Sequence, residues 1–327
     1  QTYGIAPDVV VTYFKKVGDL GEVAAFFASK RKQGALFGKP LTVAHVFQTL
    51  HKLFAVEGKG SVERKCALLS ELLTATQPQE AKYLIRTVLQ DLRTGTGDAV
   101  LVDALAGAFL SSDDAELVQR AYDMSGDFAR VLSACMKGTK AVELIDIVPG
   151  KATHPMLAVK AATIEEAFEI CGTPAAFEYK YDGFRLLINK TGDTVTLFTR
   201  RLENVTAQFP DIVQAVQMYV KGSTFILDAE AVGYDPQRKV YKPFEAISQR
   251  IKRKHDVATL VKELPVEVNV FDVLFYEGKS TMLVPFKERR VLLEKLLLPK
   301  AWVLRASEFL VTDDLDTAEA FYQQAML

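Results

Sequence analysis

The chain has 327 residues, 49% hydrophobic and 25% charged, with 40 Lys and Arg against 41 Asp and Glu for a net charge of −1. That is the balance of a globular chain, its length fits about two domains of roughly 100–200 residues, and its neutrality excludes a uniformly basic nucleic-acid binder, so any basic surface is local. Cys66, Cys135 and Cys171 are too few and too far apart for a disulfide framework or a Cys-x-x-Cys metal site, and without a signal peptide or an apolar run of about 18 residues a soluble intracellular protein is expected.

Up to about residue 140 the apolar residues recur with helical spacing. Thr42 is placed to cap a helix whose apolar side reads Val43, Val46, Phe47, Leu50, Leu53 and Phe54. Ser61 is the expected cap of the next, with Leu68, Leu69, Leu72 and Leu73 inward. Tyr83, Leu84, Val88 and Leu89 mark a third helix, and Asp98 opens a fourth with Leu101, Leu105 and Phe109. Two more are expected over 117–124 and 128–136. Before the fourth, Arg93, Thr94, Gly95, Thr96 and Gly97 set two glycines ahead of a helix start. Free backbone N–H groups there can meet a phosphate; a tight helix–helix turn accounts for the same residues.

Pro149, Gly150 and Pro155 break any helix. They divide an all-α region, 1–146, from a region 158–327, with 147–157 as linker and lead-in. Beyond them, strands are expected at 177–181, 186–189, 194–199, 225–234 and 266–276, and helices near 164–171, 211–220, 285–297 and 317–326. The second region is therefore expected to be α+β with largely antiparallel sheets. The basic run Arg250-Ile251-Lys252-Arg253-Lys254-His255 suits a DNA track or a solvated helix end equally.

The stretch carrying chemistry is Glu178-Tyr179-Lys180-Tyr181-Asp182-Gly183-Phe184-Arg185. An apolar strand runs into a lysine, then an acid, a glycine that permits a sharp turn, and an arginine. On a strand, Lys180 and Asp182 share a face. A lysine amine attacking an α-phosphate forms a phosphoramidate, and protonating that nitrogen later makes it a good leaving group. Burial, or a nearby cation such as Arg185 or a metal ion, would favour the neutral amine that attacks. A hairpin turn explains the four residues Lys-x-Asp-Gly alone.

The segment resembles the Lys-x-Asp-Gly motif of covalent nucleotidyltransferases, in the context of ATP-dependent DNA ligases of the archaeal and eukaryotic type. The resemblance makes Lys180 the acceptor of AMP from ATP, places Glu178 by the adenine and sets Arg185 on the nucleotide. Phe198-Thr199-Arg200-Arg201-Leu202-Glu203-Asn204 is similar to the next family block, with Thr199 where serine is usual. It implies nucleotide contact for Arg200 and DNA contact for Arg201. Ile226-Leu227-Asp228-Ala229-Glu230-Ala231 implies that Glu230 binds ribose or metal, and Val270-Phe271-Asp272-Val273-Leu274 that Phe271 stacks on adenine. Solvent exposure and plain core packing are the ordinary readings of those two residues.

In the helical half, Gly18–Ala24, Lys39–Val43 and Asp91–Asp98 are close to family text, as is His154-Pro155-Met156-Leu157-Ala158. The resemblance implies ATP and Mg²⁺ as cofactors, and AMP transfer to the 5′-phosphate of a nick followed by 3′-hydroxyl attack. It also implies nicked double-stranded DNA as partner, with Arg93–Gly97 gripping its backbone, and roles in DNA replication, repair and recombination. A sliding clamp as partner, a monomeric state, no membrane association, and a cytoplasmic or, in a eukaryote, nuclear location follow from the same likeness. The family carries two further blocks and an OB-fold after this point, so an internal fragment with weak or no self-adenylation is expected. An RNA ligase or mRNA-capping nucleotidyltransferase shares the lysine motif, and a DNA-binding module without activity is the alternative from another class.

Overall fold

The computed structural model describes residues 2–31, 41–56, 58, 60–153, 158–253 and 256–326. Lys39, Pro40, His154–Leu157, Lys254 and His255 lie outside the described residues. The chain forms two compact units, Gln1–Gly97 and Asp98–Leu327.

The first unit is helical: α1 (Pro7–Val17), α2 (Leu20–Ser29), α3 (Val43–Ala55), α4 (Ser61–Ala75) and α5 (Pro78–Val88). Asp19 caps α2, its Oδ1 accepting from the Gly21 and Glu22 amides at 2.7 and 3.4 Å. Its Oδ2 takes Arg86 of α5 at 2.5 Å. A β-carbon on Gly21 would stand 2.8 Å from the Arg86 Cγ and 2.9 Å from the Lys82 carbonyl oxygen, so only glycine lets α2 and α5 pack this closely. Ala24, Ala28, Leu72, Leu73, Ala81 and Leu84 form the core.

Thr42 caps α3 as expected, accepting from the His45 amide at 3.2 Å. The expected face is covered only in part. Thr49 and Leu53 are buried, Val46 and Leu50 lie partly against the core, and Val43 and Phe47 are 87% and 62% exposed. Gly60, not Ser61, is the N-cap of α4; its left-handed backbone turns the chain into the helix and leaves Ser61 as the first helical residue.

The second unit opens with α6 (Asp98–Phe109), α7 (Ala115–Ser125), α8 (Phe128–Cys135) and α9 (Thr139–Glu143). They pack around Val102, Ala106, Val118, Ala121, Val131 and Cys135. The α6 face is likewise met in part: Leu105 packs against the core as expected, Val102 and Ala106 are buried, and Leu101 and Phe109 lie outward. There follow α10 (Ile164–Cys171), β1 (Ala175–Glu178), β2 (Phe184–Thr191), β3 (Thr194–Thr199), α11 (Pro210–Tyr219), β4 (Thr224–Asp235), β5 (Val240–Tyr241), α12 (Phe244–Lys252) and α13 (Val257–Glu263). The last elements are β6 (Val266–Tyr276), β7 (Lys279–Ser280), α14 (Phe286–Leu296), β8 (Leu304–Ala306), β9 (Phe309–Thr312) and α15 (Leu315–Ala325).

The main sheet runs β3-β2-β4-β6-β7, all antiparallel, with β8 parallel to β6 and β5 on the end of β4. A separate antiparallel pair joins β1 to β9. Alternation sorts each strand's side chains to two faces. Leu186, Ile188, Leu227, Ala229, Val268 and Val270 face one way, into a core shared with Ile212 of α11, Ile247 of α12 and Leu293 of α14. On the other face, Leu187, Phe198 and Ile226 meet Met124 of α7 and Ile147, with Leu274, Phe275 and Met282 against them, while Arg185, Asp228, Glu230 and Asp272 make a polar patch.

Arg250 is wholly buried in this unit. It is paired with Asp211, donates to the Gln208 and Leu264 carbonyls at 3.2 and 3.1 Å, and stacks 4.4 Å above the Phe209 ring. The sequence left a DNA track open for it; it is instead a clamp between α11 and α12.

Candidate active site

β1 belongs to one sheet and β2 to the other, so the chain must change sheets between Glu178 and Phe184. Lys180 lies in that crossing and not on a strand, which corrects the expectation that it shares a strand face with Asp182. Three contacts fix the crossing. Tyr181 is buried and its hydroxyl accepts from the Glu308 amide at 3.1 Å. Asp182 Oδ2 accepts from the Phe244 amide at 3.1 Å and so caps the first turn of α12. Gly183 lies flat against β4. A β-carbon there would overlap the Ala231 carbonyl oxygen and stand 3.0 Å from its carbonyl carbon. Lys180 itself is exposed, with its Nζ 3.3 Å from the Tyr181 carbonyl oxygen.

The floor beneath Lys180 is the polar face of β2, β4 and β6. Arg185 pairs in register with Glu230 and forks onto Asp228 at 2.7 and 2.6 Å. Asp228 pairs in register with Asp272, which Arg289 of α14 holds by bonds of 2.7 to 3.1 Å. The charge of Arg185 is thus met by a carboxylate and not aimed at the lysine. Burial pushes the Glu230 carboxyl above its ordinary range; the Lys180 ammonium pulls part of the way back and Asp228 adds to the rise. Burial likewise raises Asp228, against the pull of Arg185.

Phe271 sits in a β-bulge. Val270 pairs with Ala229 and Asp272 with Asp228, leaving Phe271 without a partner on β4. Bulges re-aim a side chain, and this one turns the half-buried ring toward Tyr181, 6.2 Å between centroids. Glu178, at the end of β1, accepts from the Ser307 hydroxyl at 2.8 Å. Lys180, Glu178, Arg185, Glu230 and Phe271 therefore gather where the chain crosses between the two sheets. Arg200 and Arg201 are exposed in the turn after β3, which leaves the sheet beside Arg185 because Thr199 pairs with Leu186. Arg93–Gly97 form an exposed loop in the first unit, where Arg93 donates to Asp91 at 3.0 Å and stands 3.7 Å from Asp19.

Comparison with known proteins identifies the family. The model of the ATP dependent DNA ligase domain matches residues 155–327, and that of the DNA ligase N terminus matches residues 1–106. The chain belongs to the ATP-dependent DNA ligase family. The DNA ligase of Nanoarchaeum equitans is 45% identical over 325 residues, covering 99% of this chain and 57% of that protein. That of Thermococcus onnurineus is 38% identical, with the same two coverages of 99% and 57%. A solved mycobacterial DNA ligase D complexed with ATP and MES is 28% identical over 53% of this chain and 50% of that one, at a TM-score of 0.38. The chain spans 57% of the length of the first two relatives.

In this ligase-family chain, the architecture is as the sequence implied: a helical region, then an α+β region with largely antiparallel sheets. Three side-chain groups of the cleft went unrecognised in the sequence. One is the Asp272–Arg289 pair. The second is Ser307 with Arg290. In the third, Tyr241 donates to buried Glu267, and Arg305 donates to the Tyr241 hydroxyl at 3.1 Å. The Tyr241 hydroxyl is pushed up to about 12, by burial first and then by Glu267. A signal existed for two of them: Glu267 interrupts an apolar strand, and Arg290 occupies an inward helical position in step with Phe286, Leu293 and Leu297. No helix among the described residues is long and apolar enough to cross a membrane.

Proposed function

We propose that this chain is the DNA-gripping and nucleotide-activating part of an ATP-dependent DNA ligase. The observation that carries the reading is an exposed Lys180 held above the polar, carboxylate-lined face of the sheet by Tyr181, Asp182 and Gly183. The Lys180 Nζ attacks the α-phosphate of ATP. An N–P bond forms, the bond to the bridging oxygen breaks, and pyrophosphate leaves. The nick's 5′-phosphate then displaces the lysine from AMP, and the 3′-hydroxyl displaces AMP to close the strand.

Around that step, Glu178 and Phe271 receive the adenine, Glu230 the ribose or the metal, and Arg185 and Arg200 the nucleotide. Arg185 reaches it only by sharing or leaving Asp228. Mg²⁺ suits the donor set. Among the described residues no three acidic, His or Cys side chains cluster to hold an ion, but Mg²⁺ characteristically takes one or two carboxylates and completes its shell with substrate phosphates and water. When bound it would neutralise charge on the phosphates.

The duplex falls to residues 1–146, joined by 147–157 to the nucleotide region 158–327. This functional division differs from the packing division at 97/98, since α6–α9 share a unit with the sheets. Arg93, Thr94, Gly95, Thr96, Gly97 and Arg201 meet backbone phosphates with little sequence readout, as an enzyme acting at any nick requires. A sliding clamp as partner, a monomeric state, an intracellular (cytoplasmic or nuclear) location and service in replication, repair and recombination belong to the same proposal. Incubation of the full-length protein with α-labelled ATP and Mg²⁺, followed by denaturing electrophoresis, tests it. Covalent label lost in Lys180→Ala supports the reading, and label that persists in Lys180→Ala overturns it.

A further inference from the structure

Glu178 is held by a side-chain relay that starts deep in the protein. Arg290 of α14 is 5% exposed and its guanidinium lies 3.9 Å from the Phe309 ring centroid. Its NH2 donates to the Ser307 carbonyl oxygen at 2.7 Å and its NH1 to the Ser307 Oγ at 3.0 Å. Ser307, 2% exposed, stands 2.8 Å from Glu178 Oε1, and Arg290 NH1 is 3.5 Å from the same oxygen. The direction of this chain is determined by chemistry. Arginine has donors only, so the Ser307 oxygen must accept from it, and the one hydroxyl proton is left for Glu178.

Two consequences follow. Ser307 and Arg290 favour the acceptor form of Glu178 against burial, which raises its carboxyl, because the hydroxyl proton and the guanidinium charge both face Oε1. Its Oε1 is occupied, and among the described residues nothing bonds to Oε2, so the carboxylate has one oxygen left for a ligand and a fixed direction in which to offer it. An oriented acceptor takes an amino group and rejects a carbonyl, since two acceptors facing each other leave both unpaired. A 6-aminopurine presents the amino group; a 6-oxopurine presents the carbonyl.

We infer that Ser307 and Arg290 are positioning residues that set nucleotide choice, by aiming the free oxygen of Glu178 at the exocyclic amine of the base. The inference rests on the proposed placing of Glu178 beside the base. It adds the residues that make that carboxylate selective, which lie 112 and 129 positions along the chain from it.

The test uses the full-length protein and follows lysine labelling with ATP and with GTP. Ser307→Ala removes the hydroxyl that donates to Glu178 Oε1. It is expected to raise KM for ATP about tenfold, the usual scale of a hydrogen bond to a charged group, while kcat stays within about twofold. The ATP-over-GTP preference should narrow by a similar factor. Ser307→Thr keeps the hydroxyl and should restore both. Arg290→Lys keeps the charge but loses the fork; it should fall between wild type and Ser307→Ala if it folds, and the serine variants decide the matter if it does not. An unchanged ATP:GTP ratio in Ser307→Ala, or an equal loss with both nucleotides that Ser307→Thr does not repair, overturns the inference and leaves the ligase reading standing. Wild-type protein that labels with neither nucleotide overturns both.

Discussion

Gly183 lies against Ala231 with no room for a side chain: the β4 backbone occupies the place a β-carbon would take. The residue is thus required by a close approach between two backbones, and the approach holds the crossing that carries Lys180. Gly183→Ala must push the crossing off the sheet. The expected cost is about 1–3 kcal/mol, as for other overpacked sites, with lysine labelling reduced at least tenfold. Thermal unfolding and labelling with α-labelled ATP measure the two effects. An unchanged midpoint would show that the crossing is free to shift.

Asp182 acts on α12 from a distance. Asp182→Ala leaves the Phe244 amide without its partner and should cost about 0.5–2 kcal/mol, the range of a lost helix cap. Asp182→Asn keeps an acceptor and should recover most of that in denaturant titration. Equal losses in the two variants would place the effect in the charge rather than in the cap.

Glu230 gives a prediction of opposite sign for stability and function. Its carboxyl is raised chiefly by burial, so the folded state favours the neutral form. A raised carboxyl contributes stability fully below the unfolded value and loses it as pH rises through the folded one. At neutral pH the charge therefore opposes folding, and Glu230→Gln should raise the melting temperature by a few degrees. Labelling of Lys180 should fall by about a hundredfold or more, because the carboxylate that receives the ribose or the metal is gone. A lower melting temperature would contradict the burial argument.

Asp19 has the reverse sign. The Arg86 hydrogen bond first, and then the Gly21 and Glu22 amides, hold its carboxyl below the ordinary range against the effect of burial. Its stabilisation is complete above the unfolded value, about 3.9, and is lost as pH falls through the lower folded value. Asp19→Asn should lower the neutral-pH melting temperature by about 5 °C or more, and the gap to wild type should close as the medium is acidified below about pH 4. A gap that is independent of pH would point to the cap alone.

Phosphate contacts predict steep salt dependence. Neutralising Arg93 or Arg201 should weaken binding to nicked duplex uniformly across sequences and reduce the salt slope by about one unit each. Titrations at several salt concentrations read this directly. Variants that bind with the wild-type slope would remove those residues from the interface.

The strands were readable because Val, Ile, Phe and Tyr alternate or run together in β3, β4 and β6, and the sequence placed all three to within a residue. Helix faces were less readable. In α3 the expected face is covered only in part, and contacts remote in sequence decide which part: Val46, Leu50 and Leu53 are covered, Thr49 joins them, and Val43 and Phe47 stay exposed. In α6 the close packing of helices favours Val102 and Ala106 over bulkier neighbours. Within the site, Lys180, Arg185, Glu230 and Phe271 were legible through their motifs. Ser307, Arg290 and Arg289 were not, since their meaning comes from partners on other strands and helices. The short strands β5, β7, β8 and β9 exist only through their pairings and left no pattern of their own.

The strict alternation along β4 reaches beyond stability. Leu227, Ala229 and Ala231 face the core while Asp228 and Glu230 face the cleft, so chemistry and packing are written on interleaved letters of the same strand. Point substitutions at 228 or 230 can retune the cleft without touching the core, and descendants of this sequence are free to explore new chemistry there. A single inserted or deleted residue would exchange the two alphabets at once. The strand is open to mutation by replacement and closed to mutation by length.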